Sequence, residues 1–354
     1  MRSNARFFWI LLLLAAPLLG ANNAAALETI DAAMQKHSAS GALGDQIERF
    51  GGSARNGVWI GWLVDSVESG GAICSYRNSK GCHCVLEGNQ EGWTMHGGDH
   101  DGVVPVPSGQ VAVLVRANSR GIDRIRTYDA ACKLDFGGAT LHVIEGVDDR
   151  DSLGWLETQV DTPARKLRED VVAAIAQHED SKADRLLRGF LEGDGPRKLR
   201  ENAAFWLGAA RGTAGYDALV ATYRKESDSK FRKELIFPIH LCKDERATDF
   251  LVDKARKDDD REVRKQALFW LAQRAGERAE QSLIDAIDDD PMMEVRQQAV
   301  FALSQLPEDR AVPALMEIAR GEDRHPEIRK KALFWLGQID DPRVLDFFEE
   351  ILEE

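Results

Sequence analysis

The segment EVRKQALFWLAQ, Glu262 to Gln273, has the apolar spacing of an amphipathic helix. With Arg264 as position zero, Val263, Ala267, Leu268 and Leu271 fall on one arc of a wheel with 3.6 residues per turn. Phe269, at +5, falls on the opposite side. The segment recurs as LRENAAFWLG around Arg200, FRKELIFPIH around Arg232, VRQQAVFALS around Arg296 and IRKKALFWLG around Arg329, with a fainter copy, LREDVVAAIA, around Arg168. From Arg168 to Arg329 the interval between successive arginines is constant to within a single position. That interval is the length of one helical hairpin, and hairpins that cannot bury an apolar face alone stack into a solenoid.

The apolar positions −1, +3, +4, +6 and +7 span the arc that faces the core, and the arginine at zero lies inside it. A half-buried guanidinium requires acceptors, and an acidic turn precedes each well-formed copy at Asp194, Asp228, Asp260, Asp290 and Asp323. The expectation is an arginine ladder, Arg168, Arg200, Arg232, Arg264, Arg296 and Arg329, bonded to carboxylates or turn carbonyls of its own and the adjoining repeat. Segments such as RAVPALMEIAR from Arg310 and PRVLDFFEEIL from Pro342 supply the other helix of each hairpin.

This alternation of DPRVLDFFEEIL-type helices with VRxxAxxxL helices resembles HEAT repeats of the short kind found in phycobilisome lyases, from about Asp161 onward. It is also similar to exported bacterial HEAT-repeat proteins of unassigned activity. The resemblance implies a mainly α fold, a HEAT-like solenoid of about six helical hairpins preceded by a small β-rich domain, with the arginine-bearing helices lining a concave surface. The same repeats serve enzymes and plain scaffolds, so they specify a fold and not an activity. HEAT-type hydroxylases that hold two irons carry several His-Glu pairs, whereas here only His178-Glu179 occurs. A bilin lyase needs a cytoplasmic partner, which an exported chain lacks.

Export is expected from the stretch Met1 to Ala26: Arg2 and Arg6, an apolar run from Phe7 to Leu19, and Ala24-Ala25-Ala26 as a cleavage site. The run is short for a bilayer span, so the cleaved chain is expected to be periplasmic or extracellular, without a span. The formal charge of −13 becomes −15 when the two arginines leave. An acidic chain with no basic cluster is a poor ligand for nucleic acid.

Between residue 27 and about Asp161 the texture changes. A short helix is expected around Thr29 to Lys36. Strand-like runs follow, VWIGWLV from Val58, HCVLE from His83, QVAVLVRA from Gln110, IDRIRTYD from Ile122 and ATLHVIEG from Ala139, with glycine-rich joins expected of a mainly antiparallel sheet. The stretch from Asp148 reads as a capped helix leading out of this domain. Cys74, Cys82, Cys84 and Cys132 are disulfide candidates in an exported chain. Cys82 and Cys84 share a strand face and are not expected to bond to each other. Either of them can pair with Cys74 and the other with Cys132. Cys242, in a repeat helix, reads as a small buried hydrophobe.

Catalytic motifs are missing: there is no nucleophile elbow, no HExxH and no phosphate loop. No cofactor is expected. The remaining site candidate is the row at +5, Phe205, Phe237, Phe269, Phe301 and Phe334, flanked by residues such as Lys265, Gln266, Gln273, Lys330, Lys331 and Gln338. Exposed aromatics in a row are a binding surface, and rings that lean sideways are covered by the adjoining repeat. The expected function is a non-enzymatic scaffold that holds a protein or peptide of the cell envelope. The alternative is an enzyme or metal sensor built on Cys82, His83, Cys84, His96 and His100.

Overall fold

The computed structural model describes residues 27, 29–67, 83–87, 109–274 and 277–353. Cys74, Cys82, His96 and His100 lie outside them, as does the N-terminal leader expected from the sequence.

Among the described residues, eight strands precede most of the helices. A five-stranded sheet has the order β2 (Ala33–Ser38), β8 (Thr140–Glu145), β3 (Val58–Asp65), β5 (Gln110–Asn118) and β6 (Gly121–Asp129). A smaller sheet joins β1 (Thr29–Ile30), β7 (Lys133–Asp135) and β4 (His83–Val85). Strands β3 and β5 are apolar nearly throughout because they are buried on both faces. On one face Ile60, Trp62, Val64, Val111, Val113 and Val115 join the core of the helices, while on the other Trp59, Leu114 and Leu141 pack with Leu134 and Phe136 of the smaller sheet region.

Two expectations for this region change. Thr29 to Lys36 is not helical: β1 and β2 are edge strands there, and the helix α1 (Leu43–Gly51) comes later. Pairing along β8, from Ala33↔Thr140 to Ser38↔Glu145, overrides the local helical preference. The sheet is also mixed, because β8 runs parallel to both β2 and β3, while β3–β5 and β5–β6 are antiparallel. Glycine-rich joins announce hairpins; they carry no information about a strand inserted between two sequence-distant ones.

Helix α2 (Asp149–Thr158) is capped by Asp148, whose side chain accepts from Arg150 N. Twelve helices follow: α3 (Arg165–Gln177), α4 (Ser181–Glu192), α5 (Arg197–Ala210), α6 (Gly212–Lys225), α7 (Ser229–Leu241), α8 (Arg246–Lys257), α9 (Arg261–Ala272), α10 (Glu277–Asp289), α11 (Met293–Leu303), α12 (Glu308–Arg320), α13 (Pro326–Leu336) and α14 (Pro342–Glu353). These make six hairpins among the described residues. The odd-numbered helices α3 to α13 pack side by side from repeat to repeat, and the even-numbered ones touch one another less closely. The stack therefore curves with the arginine-bearing helices on its inner layer.

One apolar core runs from Leu43 through the sheet and the helices to Phe347. Polar bonds lock the joint between sheet and repeats. Trp62 Nε1 donates to Ser152 Oγ (2.8 Å), and Ser152 Oγ lies 2.8 Å from His178 Nε2. His178 Nδ1 lies 2.8 Å from the Ala174 carbonyl, so Nδ1 carries the proton and Nε2 accepts from the serine. Arg211 donates to the His178 carbonyl (2.5 Å), and Arg126 pairs with Asp170 across β6 and α3 (2.6 Å).

Repeat spacing on the inner layer depends on Gly208. A Cβ there would sit 2.1 Å from the Pro238 carbonyl oxygen, so α5 and α7 approach more closely than any other residue permits. Replacing helical glycine by alanine normally gains about 1 kcal/mol. Overpacking against a fixed carbonyl costs about 1–3 kcal/mol and more for a branched residue. Gly208→Val is therefore expected to lower the urea midpoint of the full chain, and a midpoint at or above wild type would show that the two helices separate freely.

Candidate functional site

The six ladder arginines follow one rule. Each donates to a carbonyl in the turn ahead of its own helix or at the end of the helix before that turn: Arg168 to Val160 and Thr162, Arg200 to Leu191, Arg232 to Glu226, Arg264 to Asp258, Arg296 to Ile287 and Arg329 to Ala319. The three central ones also reach a carboxylate in the turn ahead of the next inner helix: Arg200 to Glu226 (2.8 Å), Arg232 to Asp258 (3.5 Å) and Arg264 to Asp290 (2.7 and 3.0 Å). Of the acidic turn residues singled out from the sequence, Asp290 holds a ladder arginine of the preceding repeat. Asp228 and Asp260 cap α7 and α9, and Asp228 also pairs with Arg197, which is not a ladder residue. The ladder fixes the register of the stack.

The +5 phenylalanines form a surface. Ring centroids are 6.3 Å apart for Phe205 and Phe237, 4.5 Å for Phe237 and Trp270, 4.8 Å for Trp270 and Phe269, and 6.3 Å for Phe269 and Phe301. The line continues from Phe301 to Trp335 (4.9 Å) and Phe334 (5.0 Å). The ridge thus runs unbroken over α5, α7, α9, α11 and α13. Phe205, Phe237, Phe269 and Phe301 are half-buried because each ring leans on an aromatic of the adjoining helix, and Phe334, on the last inner helix among the described residues, is 54% exposed. Trp270 and Trp335 at +6, read from the sequence as core, are half-buried members of the ridge. Between α5 and α7 the ridge borders a groove of about 280 Å³ lined by Phe205, Phe237, Lys198, Glu201 and Glu234 among others.

Half-burial sets an expected size for Phe269→Ala. Emptying a core aromatic site costs about 3–5 kcal/mol and truncating an exposed residue no more than about 0.5. Phe269 loses part of its buried area and two ring pairs, each worth about 0.5–1.5 kcal/mol. The expected loss is about 1–2 kcal/mol by chemical denaturation, with the chain still folded at room temperature. A loss within the core range would mean that the ring is not available to a partner.

Two polar residues of this face were not singled out from the sequence, although the repeat itself marks them. Position +8 is small elsewhere, Gly208, Ala272, Ser304 and Gly337, but it is His240 in the α7 copy. Position +10 is apolar in four copies, Ala210, Cys242, Leu306 and Ile339, but it is Arg274 after α9 and His178 in the first copy. The His240 ring packs against that of Trp270, tilted, with centroids 4.9 Å apart. Burial, reinforced by the Arg274 guanidinium, pushes its pKa down to about 4, so it is neutral at physiological pH. Arg274 Nη2 donates to the Cys242 carbonyl (3.0 Å). His240 Nδ1, Trp270 Nε1 and Arg274 Nη1 have no protein partner among the described residues.

In the N-terminal region, Cys84 and Cys132 are buried in the smaller core. Cys242 is the free cysteine among the described residues. Burial pushes its thiol up to about 12, which leaves it protonated and unreactive. The Cys82, His83, Cys84, His96 and His100 grouping falls mostly outside the described residues.

Residues 216–303 and 280–354 match the family of HEAT repeats. Residues 216–354 of the solenoid are HEAT repeats. Among solved structures, human deoxyhypusine hydroxylase in complex with glycerol is similar at 19% identity, with 56% of this chain and 77% of that one covered and a TM-score of 0.26. The CpcE–CpcF complex of phycocyanin lyase from Nostoc sp. is similar at 20% identity, covering 52% and 76%, with a TM-score of 0.31. A condensin subcomplex from S. pombe follows at 17% identity, 54% and 28% coverage and a TM-score of 0.35. At these scores none of the three bears on function. Among curated proteins no match to the chain is found.

Proposed function

We propose that this chain is an exported, non-enzymatic adaptor whose HEAT solenoid holds a protein or peptide of the cell envelope on its inner layer. The carrying observation is the aromatic ridge, from Phe205 to Phe334, laid across five helices of a fold that typically serves protein interaction. Half-buried rings suit this role. Their inner edges are held by the adjoining helix, so they lose little freedom on binding, and their outer faces offer apolar area to a partner. The β-rich module, which we place before about Asp161, anchors the first repeat. No helix among the described residues is long and apolar enough to cross a membrane.

The test is affinity capture from envelope extract with wild type and with Phe237, Phe269 and Phe301 all replaced by Ser. A partner recovered by the wild type and lost from a variant with the wild-type helical circular dichroism supports the reading. A partner retained by that folded variant sinks it. Because three half-buried rings are removed together, Phe334→Ser, which perturbs an exposed ring, is run alongside. Recovery from the envelope of a mature chain that starts at Leu27 tests export.

A further inference from the structure

The aromatic ridge has charged and amide neighbours, and their distribution names the kind of partner. This inference rests on the ridge being a binding surface. At +1, +2 and +9 of α9, α11 and α13 stand Lys265, Gln266, Gln273, Gln297, Gln298, Gln305, Lys330, Lys331 and Gln338. Lysine and glutamine fill every one of these positions with no carboxylate, in a protein of net charge −13. The acids at the helix starts beside this stripe, Glu262, Glu294 and Glu327, are paired with Lys265 (3.3 Å), Arg261 (3.6 Å) and Lys330 (3.3 Å). On the outer layer the balance reverses, for α10 and α14 carry a marked acidic surplus.

Two details set the stripe apart from a solvated charge row. Lys331 makes no ion pair among the described residues, and its ammonium lies 5.4 Å from the centroid of the Phe334 ring and 5.5 Å from that of Trp335. The strongest exposed apolar patch of the ridge therefore carries a cation seated on it. Gln266, Gln297 and Gln298 make no side-chain hydrogen bond among the described residues, which leaves their donors and acceptors free beside Phe269 and Phe301. On α5 no cation of the rim is left like Lys331: Arg197 and Lys198 are both engaged, by Glu201, Glu234 and Asp228.

We propose that the half of the ridge on α9 to α13 docks an acidic protein segment bearing apolar side chains. Its aromatic or aliphatic groups would lie on Phe269, Phe301 and Phe334, its carboxylates would meet Lys265, Lys330 and Lys331, and the glutamines would bond its backbone. Like charge elsewhere on the chain repels such a segment and steers it to this stripe.

Fluorescence anisotropy of the full chain with two synthetic peptides tests this. One carries Glu, and the other Lys, at the polar positions of an otherwise identical sequence with Phe or Leu at every third or fourth place. The acidic peptide is expected to bind about tenfold more tightly, and its affinity to fall as salt shortens the Debye length. Lys265→Glu, Lys330→Glu and Lys331→Glu together should abolish or invert the preference; none of the three side chains is buried, so folding is spared. Equal binding of both peptides, or preference for the basic one, overturns the acidic assignment. If that binding is still lost in Phe334→Ser, the ridge remains a binding surface and only the assignment of partner charge fails. No binding of either peptide overturns the inference as well.

Discussion

Arg264→Ala is expected to destabilise the chain by about 3–5 kcal/mol, the range for breaking a buried ion pair by removing one partner. The Arg264 side chain is 8% exposed and that of Asp290 5%, and the pair is bidentate at 2.7 and 3.0 Å. Removing the guanidinium leaves a buried carboxylate and the Asp258 carbonyl without their donor. Arg168, at the first repeat, donates only to the carbonyls of Val160 and Thr162 in this ladder, so Arg168→Ala should cost about 1 kcal/mol. Arg264→Lys should not rescue, because a single ammonium cannot reproduce the fork. The combined change of Arg264→Met and Asp290→Leu should recover most of the loss, because it removes both charges. Urea unfolding checks the series, with hydrogen exchange in α9 and α11 locating the weakened interface. Equal, small losses for Arg264→Ala and Arg168→Ala would make the ladder a solvated charge row.

The second large effect is on pH. His178 is fully buried, and burial pushes its pKa down from 6.5 to about 4. In the folded chain Nδ1 is held by the Ala174 carbonyl and Nε2 takes the Ser152 hydroxyl proton, while the Arg211 guanidinium sits on the residue's own carbonyl. A second ring proton, on Nε2, would take the acceptor away from the Ser152 hydroxyl and place a charge in an apolar core. The folded pKa is the lower one, so the contribution is complete above pH 6.5 and is lost as pH falls towards 4, where the unfolded chain binds a proton that the folded chain refuses. The slope is about 1.4 kcal/mol per pH unit, or about 3 kcal/mol across the window.

His240 acts with the same sign. Asp149 acts with the opposite one, since burial and neighbouring carboxylates raise it to about 6 and its repulsion is relieved on acidification. The isolating measurement is therefore a comparison with His178→Gln, which keeps a partner for Ser152 and does not titrate. Between pH 6.5 and 4 its stability should fall less steeply than wild type, by about one proton. Parallel curves for the two proteins would refute the assignment.

Both predictions draw on residues whose visibility in the sequence differs. The arginines stand out because a cation inside an apolar arc recurs at the same place in every hairpin, from Arg168 to Arg329. Their acidic partners do not, since Asp228, Asp260 and Asp290 look alike in the sequence although two cap helices and only Asp290 binds a ladder arginine. His178 beside Glu179 reads as a charged pair at a helix end. Nothing local reveals that the ring is sealed beneath Trp62 and Ser152, which belong to a distant strand and to the helix before the repeats.

The HEAT solenoid is legible in the chain alone because its contacts are local: each hairpin buries its face on the next, so a periodic sequence carries a periodic structure. The same periodicity locates the +5 phenylalanines, and its interruptions at His240 and Arg274 mark where one groove differs from the others. Whether those rings are buried or free depends on the distance between neighbouring helices, which Gly208 and Pro238 help to set across repeats, and that is a tertiary quantity. The order of the β-sheet is of the same kind. Strand β8 enters between β2 and β3 by hydrogen bonds that join residues far apart in the chain, such as Ala33 with Thr140, and no local pattern of side chains encodes such a pairing.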